Sequence, residues 1–201
     1  MNISKILGRV LEFFNIRITK HHPRESILFA KKYFNGKKII ACEIGVYRGE
    51  NAKSILKTLD VIKMFLIDPY QTYNNHCKSL NPTVEKEFTN SSGSISKERL
   101  AKAFAWARKI LRKYPVEWKI GKSEDKIIEI DPCDLIYIDG DHTYEGVKKD
   151  LELSWDKLKT KGILIGNDFD IEGINLAVND FIQKKKLRIY ANRTDWWIIK
   201  N

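Results

Sequence analysis

The 201 residues carry 36 Lys and Arg against 26 Asp and Glu, a formal charge of +10, with 43 % apolar and 31 % charged residues. That balance belongs to one folded, water-soluble domain and excludes a disordered or low-complexity chain. No run approaches the roughly 20 apolar residues of a membrane-spanning helix, and Lys5, Arg9 and Glu12 among the first apolar residues make a poor signal peptide.

Ile3, Ile6, Leu7, Val10, Leu11 and Phe14 recur at helical spacing and predict an amphipathic helix packed on the domain rather than on a membrane. Pro23 can open a second helix, with Ile27, Leu28, Ala30 and Phe34 apolar and Asn35-Gly36 closing it. Residues 1–35 thus form a helical extension and 36–201 the main domain. From Lys37 onward strands at about 38–43, 62–68, 116–120, 134–139 and 162–167 alternate with helices near 50–59, 96–113, 143–158 and 172–185. Leu187–Ala191 and Trp196–Lys200 are two β-rich runs joined only by Asn192–Asp195, too short for a crossover helix, so they form an antiparallel hairpin at the sheet's edge. The expected fold is α/β: a Rossmann-like, doubly wound, seven-stranded sheet, mostly parallel with an antiparallel C-terminal strand and helices on both faces.

Residues 69–95 are polar and irregular, with Tyr70, Tyr73, His76 and Asn81-Pro82. Their place straight after an acid-ended strand predicts a lid. Cys42, Cys77 and Cys133 lack metal-type or redox-type spacing and read as reduced thiols of a cytoplasmic protein. The charge of +10 would suit nucleic acid or an anionic surface. The lysines are spread along the chain, however, and only Lys37–Lys38 and Lys184–Lys186 cluster, so charge alone assigns no partner.

Three strands end on acids. Met64–Ile67 runs into Asp68, Leu135–Ile138 into Asp139-Gly140-Asp141-His142, and Ile163–Gly166 into Asn167-Asp168. Ligands of open α/β sheets sit beyond the carboxyl ends of strands, and carboxylates there are costly to bury without partners, so the three ends predict one site. The first strand leads into Glu43-x-Gly45-x-Tyr47-x-Gly49-Glu50-Asn51. Gly45 and Gly49 permit a sharp turn and close approach to a ligand. The spacing is not G-x-G-x-x-G, and Glu50 would repel a pyrophosphate. Glu43 suits a cationic ligand group, while Asp68 is placed to accept both hydroxyls of a ribose. A ligand with a ribose and a positive centre but no phosphate is S-adenosylmethionine.

With these motifs the chain resembles the class I S-adenosylmethionine-dependent methyltransferases, most nearly the small-molecule O-methyltransferases of the catechol and macrocin type. The resemblance runs from about Gly36 to the C-terminus. It rests on Glu43-x-Gly45-x-Tyr47-x-Gly49, Asp68, Gly121-x-Ser123-x-Asp125, Ile138-Asp139-Gly140-Asp141-His142 and Asp168. It implies that Glu43 and Gly45 line the methionine and ribose part and that Tyr47 and Asn51 flank the amino-acid moiety. Asp68 takes the ribose, Ser123 and Glu124 approach the adenine, and Asp139 sits near the sulfonium and the acceptor. In metal-dependent relatives acids after the fourth and fifth strands bind Mg²⁺, which here implies Asp139, Asp168 and Asn167. The catechol-type Asp-Asn pair is replaced by Asp168-Phe169, and Asn167 stands where some related enzymes have an acid. His142 falls where catechol-type enzymes carry a catalytic lysine and is read as the general base. The implied acceptor is a small-molecule hydroxyl on a sugar or secondary metabolite, and a homodimer is compatible with this reading.

Two alternatives stay open. A nucleic-acid methyltransferase would show an Asn/Asp-Pro-Pro-aromatic motif after the fourth strand, where this chain has Asp139-Gly140-Asp141; Asp68-Pro69-Tyr70 follows the wrong strand. A non-catalytic S-adenosylmethionine-binding protein would keep the pocket without turnover. Cephalosporin-hydroxylase-like proteins share the fold and the acidic cluster as well.

Overall fold

Residues alternate between two covered faces along each central strand, and that period of two builds the molecule. The structure, a computed structural model, describes residues 23–71 and 96–201. The helix expected over 3–14, Cys77 and the 72–95 part of the expected lid lie outside the described residues. Along the chain come α1 (Glu25–Phe34), β1 (Ile39–Ile44), α2 (Glu50–Thr58), β2 (Val61–Asp68), α3 (Lys97–Leu111) and β3 (Val116–Ile120). A single turn, α4 (Ser123–Lys126), and a 3₁₀ turn at Ile127–Glu129 follow. Then come β4 (Cys133–Ile138), α5 (Tyr144–Lys157), β5 (Leu158–Gly166), α6 (Glu172–Lys185), β6 (Ile189–Asn192) and β7 (Asp195–Ile199).

The seven strands lie in the order β3-β2-β1-β4-β5-β7-β6. β1 to β5 are parallel and β7 is antiparallel to both β5 and β6. This is the expected doubly wound sheet, with its C-terminal hairpin. Within the hairpin the later strand takes the inner place. Trp196, Trp197 and Ile198 are buried, while β6 is half-buried to exposed, so the more apolar strand sits against β5. β5 also begins four residues before the expected 162. Its register slips between Leu158 and Ile163, and Lys161 adopts φ 63° there, which marks a bulge.

One face of the sheet (Ile39, Ala41, Met64, Leu66, Leu135, Tyr137, Ile163, Ile165, Trp197) packs against α1, α2 and Leu111 of α3. The other (Cys42, Ile44, Phe65, Ile67, Ile136, Ile138, Leu164, Ile198) packs against α5 and α6. The described part of the N-terminal extension belongs to the first layer. Ile27 and Ala30 are fully buried, and Asp195 Oδ2 accepts from Ser26 N at 3.2 Å and Ser26 Oγ at 2.7 Å. The chain winds outward from β1 to β3 and resumes at β4, so the topological switch point, where such sheets bind ligands, lies between the carboxyl ends of β1 and β4. Among the described residues no helix is long and apolar enough to cross a membrane.

Candidate active site

The turn after β1 is locked to its neighbours on both sides. Gly45 N donates to Ile67 O at 2.9 Å, and Asp139 N donates to Ile44 O at 2.8 Å. A Cβ on Gly45, at φ 83°, would collide with the Asp139 carbonyl oxygen, so this glycine lets the ends of β1 and β4 touch. Gly49, at φ 74°, is the N-cap of α2, and a Cβ there would come 2.9 Å from Leu111 Cδ1. Asn51 is therefore not the cap. It lies in the first turn of α2, and its Nδ2 donates to Glu43 Oε1 at 2.8 Å.

Asp68 closes the turn from the β2 side. Its Oδ2 accepts from Val46 N at 2.9 Å and Tyr47 N at 2.8 Å, and its Oδ1 from Tyr70 N at 2.7 Å. Three of the roughly four acceptor sites of the carboxylate are thus spent on backbone. The carboxylate expected to receive the ribose hydroxyls is shared with the turn, and about one acceptor site remains. Tyr47 (φ 46°), Tyr70 (φ 46°) and Asp168 (φ 56°) are non-glycine residues in the left-handed region, each at a cost of about 1–3 kcal/mol. They stand just beyond β1, β2 and β5, so the strain collects on one edge of the sheet.

Glu43 is fully buried, and its Oε2 makes no hydrogen bond among the described residues. Burial raises its carboxyl well above the usual carboxylate range. The Asn51 hydrogen bond opposes this, the charges of Asp139 and Asp68 add to it, and Arg24 offsets part. An orphaned buried carboxylate oxygen calls for a cation or a hydrogen-bond donor from outside the chain.

Asp139, His142 and Asp168 each place a metal-competent ligand atom within 4.8 Å of the others. His142 Nε2 lies 3.6 Å from Asp168 Oδ2. Burial pushes the Asp139 carboxyl up to about 6, the Asp168 charge adds to that, and His142 and Arg24 oppose it. Thr143, not His142, caps α5, accepting from Gly146 N at 3.2 Å. Asp141 Oδ1 accepts from Thr143 N at 2.8 Å, an Asx turn that commits Asp141 to the loop. Asn167, expected in the metal set, sits beside this cluster. Its Oδ1 accepts from Arg24 Nη1 at 2.5 Å and Thr194 Oγ1 at 2.9 Å, and its Nδ2 donates to Asp168 Oδ1 at 2.7 Å. These bonds hold Asp168 through Asn167 Nδ2 and engage the Asn167 oxygen with Arg24 and Thr194.

Ser123 and Glu124, expected near an adenine, open α4. Ser123 Oγ donates to Asp150 Oδ1 at 2.5 Å, and Glu124 Oε2 accepts from Lys149 Nζ at 2.6 Å. Asp150 is 3 % exposed. Burial pushes its carboxyl up to about 6 against the Ser123 hydrogen bond, with the charges of Asp141 and Glu124 adding and Lys149 opposing. The folded value exceeds that of an unfolded Asp, about 3.9, so folding takes up a proton between about pH 4 and 6, and stability falls as pH rises through that window. Asp150→Asn keeps an oxygen for Ser123. It is expected to flatten that fall and to raise Tm at pH 8 above wild type. A Tm at pH 8 equal to or below wild type would show that the charge is needed.

Three contributors escaped the sequence reading: Arg24, Asp195 and Asp150. Arg24 Nη1 also reaches Asp195 Oδ1 at 3.2 Å. Asp150 carried a usable signal, an acid on the same helical stripe as Val147, Leu151 and Ser154, all buried. Tyr70 is not offered to a ligand. Its ring packs on Phe104 with centroids 4.5 Å apart, and its hydroxyl donates to Tyr47 O at 2.8 Å. Phe169 packs against the core.

A strained turn, an orphaned buried carboxylate and an Asp-His-Asp cluster at a switch point are those of a nucleotide-cofactor enzyme on a Rossmann-like sheet. The family described as a methyltransferase domain matches residues 42–169, and the chain belongs to it. Among solved structures, the chain is similar to the O-methyltransferase NovP, with TM-score 0.61, 18 % identity, and 88 % of this chain and 78 % of that one covered. It is also similar to a putative caffeoyl-CoA O-methyltransferase from Staphylococcus aureus (TM-score 0.60, 15 % identity, 100 % and 93 % covered). A third is an O-methyltransferase from Bacillus cereus in complex with SAH (TM-score 0.55, 12 % identity, 98 % and 90 % covered). At these identities the likeness shows the fold. No curated protein matches the chain.

Proposed function

We propose that this methyltransferase transfers a methyl group from S-adenosylmethionine to a hydroxyl of a small molecule, a sugar or other secondary metabolite, with a divalent cation assisting. The observation that carries the reading is the Oε2 of fully buried Glu43, which has no hydrogen-bond partner among the described residues and suits the cationic methionine end of that cofactor. NovP and the Bacillus cereus protein, both named O-methyltransferases and the latter in complex with SAH, support it. Tyr47 and Asn51 flank the methionine part, and Gly45 and Gly49 shape the turn around it. Asp68 receives one ribose hydroxyl through its remaining acceptor site. Ser123 has its proton on Asp150, so its oxygen is left to accept, which matches the amino group of adenine; Glu124 borders it. The buried thiols of Cys42 and Cys133 suit the reducing cytoplasm.

In the reaction the acceptor oxygen attacks the methyl carbon, the carbon–sulfur bond breaks and a neutral thioether leaves. Alignment of the reactants can supply roughly 7–11 kcal/mol of the barrier. The acceptor's proton passes to His142. Asp139 and Asp168 are the residues that would hold the cation, whose contribution is to lower the pKa of a hydroxyl bound to it. A nucleic-acid acceptor, the alternative, draws on the net charge of +10 and on none of Glu43, Asp139, His142 and Asp168.

The test is methyl transfer from labelled S-adenosylmethionine to a panel of hydroxylated acceptors, with S-adenosylhomocysteine (SAH) binding measured by calorimetry. Binding and transfer are expected; a protein that binds no SAH would overturn the reading. Asp68→Ala is expected to weaken SAH binding by about tenfold or more and to lower Tm together with it, because the same carboxylate clasps the turn. Wild-type affinity in that variant would remove Asp68 from the site.

A further inference from the structure

A second concave feature opens beside the cofactor turn, on α3. Arg99, Lys102 and Trp106 recur at i, i+3 and i+7 on one face of that helix, while Leu100, Ala107 and Leu111 are buried on the adjacent stripe. Together with Tyr47, Arg48 and Ala103 they line a groove of about 300 Å³. Among the described residues that line it, three are cations and none is a carboxylate. Glu50 borders it through Arg48, with Nε 3.1 Å from Oε1, but both partners are more than half exposed, and such pairs hold weakly.

Trp106 is 41 % exposed, a large indole left at the surface. The Arg48 guanidinium lies 5.8 Å and Lys109 Nζ 5.5 Å from its ring centroid. Cations around an exposed indole suit a planar ring that carries an anion. Arg99 Nε donates to Tyr47 Oη at 3.0 Å, which ties the groove to the strained turn of the cofactor site.

We propose that this groove holds a phosphate-bearing handle on the acceptor, a nucleoside diphosphate group whose base lies on Trp106 and whose phosphates meet Arg48, Arg99 and Lys102. The proposal rests on the reading of the neighbouring site as a methyl-transfer centre and adds the class of acceptor. A carboxylate alone would leave most of a 300 Å³ space unfilled, whereas that volume is at the small end of ligand sites. Two or more negative charges suit the cations of its described lining, Arg48 and Lys102 among them.

The experiment titrates SAH-saturated protein with UDP and with inorganic pyrophosphate by calorimetry. UDP is expected to bind with a sub-millimolar dissociation constant, and more tightly than pyrophosphate. The Arg48→Gln, Lys102→Gln double variant is expected to weaken both by about tenfold or more. Trp106→Leu is expected to weaken UDP and leave pyrophosphate unchanged. SAH affinity in the double variant should stay within about twofold of wild type, which also shows that it folds. Absence of UDP binding to the SAH-loaded wild type, or equal UDP affinity in the double variant, would overturn the proposal. So would a matching loss of SAH affinity, since the cations would then serve the cofactor's carboxylate. Failure of SAH to bind wild type is a different result. It strikes the methyl-transfer reading, and UDP titration of the unloaded protein then tests the groove alone.

Discussion

His142→Ala is expected to lower kcat by about 10²–10⁴-fold while the SAH dissociation constant stays within a few-fold of wild type. The imidazole stands three residues beyond Asp139, with Nε2 3.6 Å from Asp168 Oδ2. The duty that would otherwise explain it, capping α5, belongs to Thr143. An imidazole nitrogen can receive the acceptor's proton as the oxygen attacks. Because the His142 ligand atom lies within 4.8 Å of those of Asp139 and Asp168, a second readout separates base from ligand. Mn²⁺ affinity close to wild type in His142→Ala marks a base, and a loss of about tenfold or more marks a metal ligand. Turnover close to wild type would take His142 out of the chemistry.

What the chain reveals of this site follows from how far each contact reaches along it. An acid at the end of an apolar run is placed by period and topology alone, so Glu43, Asp68, Asp139 and Asp168 were legible once the strands were. The partners of those acids were not. Arg24 meets residues 143 and 171 positions away, and no local pattern marks an arginine after Pro23 as part of the far end of β5. Asn167 sat at a metal position by order, but its oxygen is claimed by Arg24 and Thr194, which only the fold brings near. Gly45 was readable as a turn residue, yet its reason is the Asp139 carbonyl on another strand. One acceptor site of Asp68 is taken by the left-handed Tyr47, whose N–H turns toward it, and two more by Val46 and Tyr70. Strand order in the hairpin was legible in principle, since Trp196-Trp197-Ile198 is more apolar than Ile189–Asn192 and burial of both faces favours the richer strand inside.

Removal of divalent ions by a chelator is expected to lower turnover by about 100-fold or more, and Mg²⁺ or Mn²⁺ to restore it. Asp139 and Asp168 are two half-buried carboxylates whose ligand atoms lie within 4.8 Å. If both are ionised, their repulsion is roughly 3 kcal/mol at an effective dielectric of about 20. That repulsion, added to burial, is why the Asp139 carboxyl sits up at about 6. Arg24 and His142 offset part of the pair's charge, but the hydrogen bonds of Arg24 go to Asn167 and Asp195, and the remainder is what a bound cation would neutralise. Oxygen donors with an imidazole nearby suit Mg²⁺ and, better, Mn²⁺. Asp168→Asn removes one of the two charges and keeps the volume, so it is expected to weaken Mn²⁺ binding by about tenfold or more and to resist restoration by added metal, while SAH still binds. Turnover indifferent to both chelator and added metal would mean that the pair is neutralised by protonation of Asp139 instead, and the cation would leave the proposed chemistry.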